Sequence, residues 1–77
     1  MAHFIFSNPA ATMLVRQKRV IKFLTEANAF SAETAVKLED TKINAPHMFE
    51  NVNKMMIKKG LMKQTENGRL YLIKKEQ

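Results

Sequence analysis

Glycine and proline together occupy only four of the 77 positions, and their placement divides the chain. Pro9 follows Asn8, Pro46 stands two residues after Asn44, Gly60 closes a long polar-apolar stretch, and Gly68 follows Asn67. A proline is tolerated in the first turn of a helix because the N–H it lacks would be unsatisfied there anyway. A glycine at the end of a periodic stretch supplies the left-handed residue that stops a helix. These marks predict a helix starting at Pro9 with Asn8 as its cap, a later helix with Pro46 in its first turn and its stop at Gly60, and a hairpin about Asn67-Gly68.

Periodicity fills in the segments between. Ala10, Met13, Leu14, Val20, Ile21, Leu24 and Ala27 fall on one stripe of a 3.6-residue helix over 9–27, with Lys18, Arg19, Lys22 and Glu26 on the other side. Gln17 interrupts that stripe. Asn28-Ala29-Phe30 is a short link, after which Ser31 caps a two-turn helix over 32–39, with Phe30 stapled on Ala35 and with Ala35 and Leu38 buried. Asp40-Thr41-Lys42 is a tight connection that delivers Ile43 inward. Asn44 caps the third helix, whose inner face is Met48, Phe49, Val52, Met55 and Met56.

The remaining segment is a hairpin with strands in 61–65 and 69–74. Asn-Gly favours a two-residue type I′ turn, which sets Glu66 opposite Arg69, Thr65 opposite Leu70 and Gln64 opposite Tyr71. Met62, Gln64, Tyr71 and Ile73 then share the face expected to cover the helices, and Leu61, Lys63, Leu70 and Leu72 point outward.

A chain of 8.9 kDa can fill one core, so residues 9–77 form a single domain preceded by an arm over 1–8. There is no cysteine, which excludes disulfides, thiolate metal sites and cysteine nucleophiles. Apolar residues make up 45% of the chain, enough for it to fold. The apolar runs Phe4-Ile5-Phe6 and Met13-Leu14-Val15 are too short and too interrupted for a secretory signal or a bilayer span, so a cytoplasmic protein is expected. Thirteen Lys and Arg against seven Asp and Glu give +6, an excess that favours an anionic partner.

Helix, link, helix, tight turn, helix, glycine, hairpin resembles the winged helix-turn-helix superfamily. The segments carrying the resemblance are FSAETAVKL, DTKI, NAPHMFENVNKMMIKKGLM and the wing KQTENGRLYLI, about 60 of the 77 positions. It implies an α+β fold with three helices and a C-terminal two-stranded β-hairpin wing. It also implies a third helix that enters the DNA major groove while the wing follows the phosphate backbone. The Z-DNA-reading branch is set aside: Glu50 and Lys54 stand where it needs an Asn and a Tyr, and the wing lacks its proline pair.

Carried onto this chain, the outer face of the third helix is His47, Asn51, Lys54 and Lys58, with Glu50 at its border. Asn can pair with an adenine edge, and Lys can reach guanine or a phosphate. Asn44 and the amides at the helix start are suited to a phosphate. Lys63 and Arg69 of the wing and Arg16 and Arg19 of the first helix are the expected phosphate contacts, although Glu66 competes for Arg69. Charge is distributed accordingly: residues 54–63 hold four lysines and no acid, whereas residues 26–40 hold Glu26, Glu33, Glu39 and Asp40 against Lys37.

The residues argue against an enzyme. His3 and His47 are the only histidines, and no spacing suggests a metal site, a triad or a phosphate-cradling glycine loop. No cofactor and no small-molecule substrate is expected. Four of the six methionines lie between positions 48 and 62, as gap-fillers in a small core or as an adaptable protein-binding surface. Outward Leu70 and Leu72, together with Phe4 and Phe6, are the candidate contacts of a homodimer unless the arm folds back as an extra strand. The expected function is that of a small sequence-reading protein of duplex DNA, a transcriptional regulator of a prokaryote or virus. The alternative is a winged module that binds another protein and reads no DNA.

Overall fold

The computed structural model describes residues 9–74. Among them are two α-helices, α1 (Pro9–Glu26) and α2 (Glu50–Lys58), and an antiparallel pair of strands, β1 (Met62–Gln64) and β2 (Leu70–Leu72). The class is α+β. No described helix is long and apolar enough to cross a membrane.

Both α-helices end in the same way. Asn28 takes φ 59°, its N–H donates to the Thr25 carbonyl at 3.0 Å, and the Ala29 N–H reaches back to the Leu24 carbonyl at 2.9 Å. Gly60 takes φ 79°, with Gly60 N–H on Ile57 O at 3.1 Å and Leu61 N–H on Met56 O at 2.9 Å. Each is a Schellman motif, which satisfies carbonyls that the helix end would otherwise orphan. Asparagine serves at the first stop because its short polar side chain tolerates the left-handed region. Ala29 and Leu24, which the first motif brings together, are both fully buried.

The middle segment departs from the expected helix over 32–39. Ala32–Thr34 is one 3-10 turn and Leu38–Asp40 is another, with an extended stretch between them. Thr34 Oγ1 accepts the N–H groups of Phe30 and Ser31, both at 3.1 Å, which curls the chain tightly at its start. Ala35 then turns extended, and Val36 pairs with Leu70 of β2. A two-turn helix is marginal by itself, whereas an extended Val36 hydrogen-bonds to a strand edge. Ala35 and Leu38 are nevertheless buried, as is Ile43.

The third predicted helix forms in two parts, a 3-10 turn over Pro46–Phe49 that runs into α2. Its cap is Ala45, held left-handed at φ 52°, and not Asn44, which is exposed.

The hairpin register lies one residue from the expected one. Met62 faces Leu72, Lys63 faces Tyr71, and Gln64 faces Leu70. A type I′ turn needs positive φ at both Asn67 and Gly68, but of the two only Gly68 has it, at 82°. The loop therefore takes three residues, closed by Gly68 N–H on Thr65 O at 3.1 Å and Thr65 N–H on Arg69 O at 2.8 Å. Thr65 Oγ1 helps to select it, since it accepts the Arg69 N–H at 3.1 Å and donates to Asn67 Oδ1. A slip of one exchanges the faces of one strand relative to the other. Leu70 and Leu72 point inward beside Met62, and Tyr71 stands beside Lys63 on the other face.

The core comprises Val20 and Leu24 of α1, Ala29, Leu38, Ile43, Phe49, Val52 and Met56 of the α2 segment, and Met62, Leu70 and Leu72 of the hairpin. Each large side chain fully buried there contributes about 1.5–3 kcal/mol. The buried face of α1 runs through Met13, Gln17, Val20 and Leu24, and is rotated away from the predicted stripe. Leu14 and Ile21 are exposed at 51% and 36%, and Ala10 and Ala27 are exposed too. Gln17, which looked like an interruption, lies on the half-buried face.

Candidate nucleic-acid interface

With Phe49, Val52 and Met56 locked into the core, the rotation of the Pro46–Lys58 segment is fixed, and its opposite side must face outward. His47, Glu50, Asn51, Lys54 and Lys58 are all exposed there. This face agrees with the sequence-based assignment, because three buried anchors at helical spacing leave one orientation.

Beside it, a crevice separates α2 from the hairpin. Glu50, Asn53, Lys54, Ile57, Gln64 and Leu70 line a part of about 310 Å³, and an adjoining part brings in His47, Glu39 and Gly68. The crevice thus collects amide side chains from both elements, Asn53 from the helix and Gln64 from β1. It also carries two carboxylates, Glu39 and Glu50, so the acidic middle segment reaches this side of the molecule.

Asn53 went unnoticed in the sequence. It is half-buried, and its Oδ1 is shielded from solvent without a hydrogen-bond donor among the described residues. A buried unsatisfied acceptor costs about 1–3 kcal/mol, and such atoms are uncommon in native proteins. The available signal was an asparagine directly beside Val52 in a helix whose neighbouring positions are apolar or charged.

On the hairpin, Lys63 and Arg69 are exposed, and they share the outer face with Tyr71. Arg69 lines a depression together with Glu33 and Glu66, so its surroundings include two carboxylates.

Arg16, Arg19 and Asn44 are brought together elsewhere, along a groove between α1 and the start of the Pro46–Phe49 turn. Arg16 Nη1 donates to the Met48 carbonyl at 3.3 Å. The nine predicted DNA contacts therefore fall into a helix face (His47, Asn51, Lys54, Lys58), a hairpin face (Lys63, Arg69) and a separate groove (Arg16, Arg19, Asn44).

The predicted dimer contacts fare differently. Leu70 and Leu72 are 4% and 7% exposed, consumed by the core because of the shifted register, and so offer no surface to a second chain. Phe4 and Phe6 lie outside the described residues. Comparison of the chain with family profiles, curated proteins and solved structures finds no match.

Proposed function

We propose that this chain is a winged helix-turn-helix module that reads duplex DNA, with α2 in the major groove and the hairpin along the phosphate backbone, and that it serves as a transcriptional regulator. One observation carries this reading: His47, Asn51, Lys54 and Lys58 form an exposed donor-bearing row on the side of the helix opposite its buried anchors, next to a hairpin whose outer face bears Lys63. The chemistry suits the task. Asn51 presents an amide to a base edge, and Lys54 and Lys58 add charge one helical turn apart. The bridge between Val36 and Leu70 supports the reading from another side, since it fastens the hairpin to the rest of the domain and lets helix and wing act as one surface.

The test is a titration of labelled mixed-sequence duplex DNA at two salt concentrations. With about 4–6 phosphates contacted, the slope of log K against log salt is expected near −4 to −5. The absence of micromolar binding at low salt overturns the reading. A module that binds only protein is favoured by the exposed Leu14, Val15 and Met48. Changing Lys54→Glu and Lys58→Glu together separates the two, because DNA binding collapses whereas capture of a protein elsewhere on the surface survives.

A further inference from the structure

The groove between α1 and the Pro46–Phe49 turn has a composition that DNA binding does not explain. Its volume is about 490 Å³, and its apolar walls are Ala11, Val15, Ala45, Met48 and Phe49, with Thr12 and Asn44 as neutral polar groups, Arg16 and Arg19 as its charged groups and no carboxylate in the lining. Val15 and Met48 are 58% and 50% exposed, far more than apolar side chains of the core. The left-handed Ala45 and the hydrogen bond from Arg16 to the Met48 carbonyl set the Met48 wall against α1.

We propose that this groove binds an acidic amphipathic helix of a partner protein. The groove runs along Ala11, Val15 and Arg19, successive positions four residues apart, so it follows about 12 Å of α1. That length matches two turns of a helix laid alongside. Val15 and Met48 receive the apolar stripe of the guest, as in other helix-in-groove recognition. Arg16 and Arg19, one turn apart, meet carboxylates one turn apart on the guest.

Charge decides among the occupants. Residues 10–25 hold Arg16, Lys18, Arg19 and Lys22 and no acid, so a second copy seated by the same face sets like charges against one another. A phosphate backbone would satisfy the arginines but leave Val15 and Met48 without apolar partners. An acidic amphipathic segment satisfies both. Methionine suits the wall because it repacks around partners of different shape.

The probe is a labelled synthetic peptide of about four helical turns, with leucines on one stripe flanked by glutamates; its counterpart carries lysine in place of glutamate. With the full chain, the acidic peptide is expected to bind with a Kd on the order of tens of micromolar and the basic one not detectably. Backbone amide shifts should centre on Val15, Arg19 and Met48. Val15→Glu, at a position already exposed, is expected to weaken binding about tenfold, and Arg19→Gln about threefold with a flatter salt dependence. Circular dichroism of each variant verifies the fold. Four results overturn the proposal: no binding of the acidic peptide to folded protein, binding untouched by Val15→Glu, equal binding of the basic peptide, or loss of binding only in the Lys54→Glu and Lys58→Glu variant. Two more do so by naming another occupant. They are a concentration-dependent dimer dissolved by Val15→Glu, and displacement of the acidic peptide by a peptide of residues 1–8. None of these readouts depends on whether the chain binds DNA.

Discussion

Val36 and Leu70 are joined by a reciprocal pair of backbone hydrogen bonds, 3.1 Å from the Val36 N–H to the Leu70 carbonyl and 2.7 Å in the other direction. The Leu72 N–H continues along the same edge of β2 to the Ala29 carbonyl at 2.9 Å. The edge of β2 that β1 does not cover is therefore occupied by the chain that follows α1, and a two-stranded ribbon, marginal alone, is fastened to the helices.

Val36→Pro should break this attachment selectively. Ala35 already has φ −60° and ψ 146°, a conformation that tolerates a following proline, so the donor to Leu70 O is removed without forcing Ala35 to move. A loss of about 2 kcal/mol is expected from one bond and one carbonyl left unsatisfied. Urea unfolding checks the magnitude. Faster amide exchange at Leu70 locates the effect, and Val36→Thr, which keeps the backbone donor, should leave that exchange slow.

The register is tested by comparing side chains of adjacent residues. Leu70→Ala and Leu72→Ala remove buried groups and should each cost about 2–4 kcal/mol. Tyr71→Ala, on the other face and only half-buried at the border of the core, should cost less. The type I′ register would reverse the order, and thermal unfolding of the three variants decides between them. Gly68→Ala should cost about 1 kcal/mol, because Gly68 sits at φ 82° while a Cβ there would meet nothing within 4 Å, leaving backbone strain as the whole effect.

How much of this could be read from the sequence follows from how local each signal is. Gly60 and Pro46 mark boundaries through the conformations of single residues, so they were legible. The outer face of α2 was legible because Phe49, Val52 and Met56 repeat at helical spacing. The conformation of 32–39 was not, since Ser31, Ala35 and Leu38 satisfy a helical pattern, and the decisive partner of Val36 lies 34 positions away at Leu70. The hairpin was legible in its existence but not in its register, which depends on the Thr65 hydroxyl selecting a three-residue loop around the Asn-Gly pair. That single step also overturned the candidate dimer face at Leu70 and Leu72. On α1, Leu14 and Ile21 misled because, among the described residues, the core packs against the side of the helix that carries Val20 and Leu24.

Ala45 provides a stabilising prediction. A non-glycine residue at φ 52° bears about 1–2 kcal/mol of strain. Ala45→Gly relieves it but adds freedom to the unfolded chain, so a net gain of about 0.5–1 kcal/mol is expected. Chemical denaturation measures it. A loss of stability would mean that the Ala45 methyl contributes more by packing in the groove wall than the backbone loses by strain.

Asn53→Leu brings stability and function into opposition. Its Oδ1 is buried with no donor among the described residues, and Ile57 and Leu70 line the same crevice beside Glu50, Lys54 and Gln64, so leucine removes an unsatisfied acceptor with little change in size. Replacing an unsatisfied buried polar group in this way should raise stability by about 1 kcal/mol. The same change removes an amide from the crevice between α2 and the hairpin. If the Asn53 amide nitrogen donates to DNA in the proposed complex, affinity for duplex DNA should fall about five- to tenfold even as the melting temperature rises, with the salt slope unchanged because no charge has been altered. Measuring both on one variant keeps the outcome clear: stability gained without affinity lost would leave Asn53 outside the proposed DNA-reading surface.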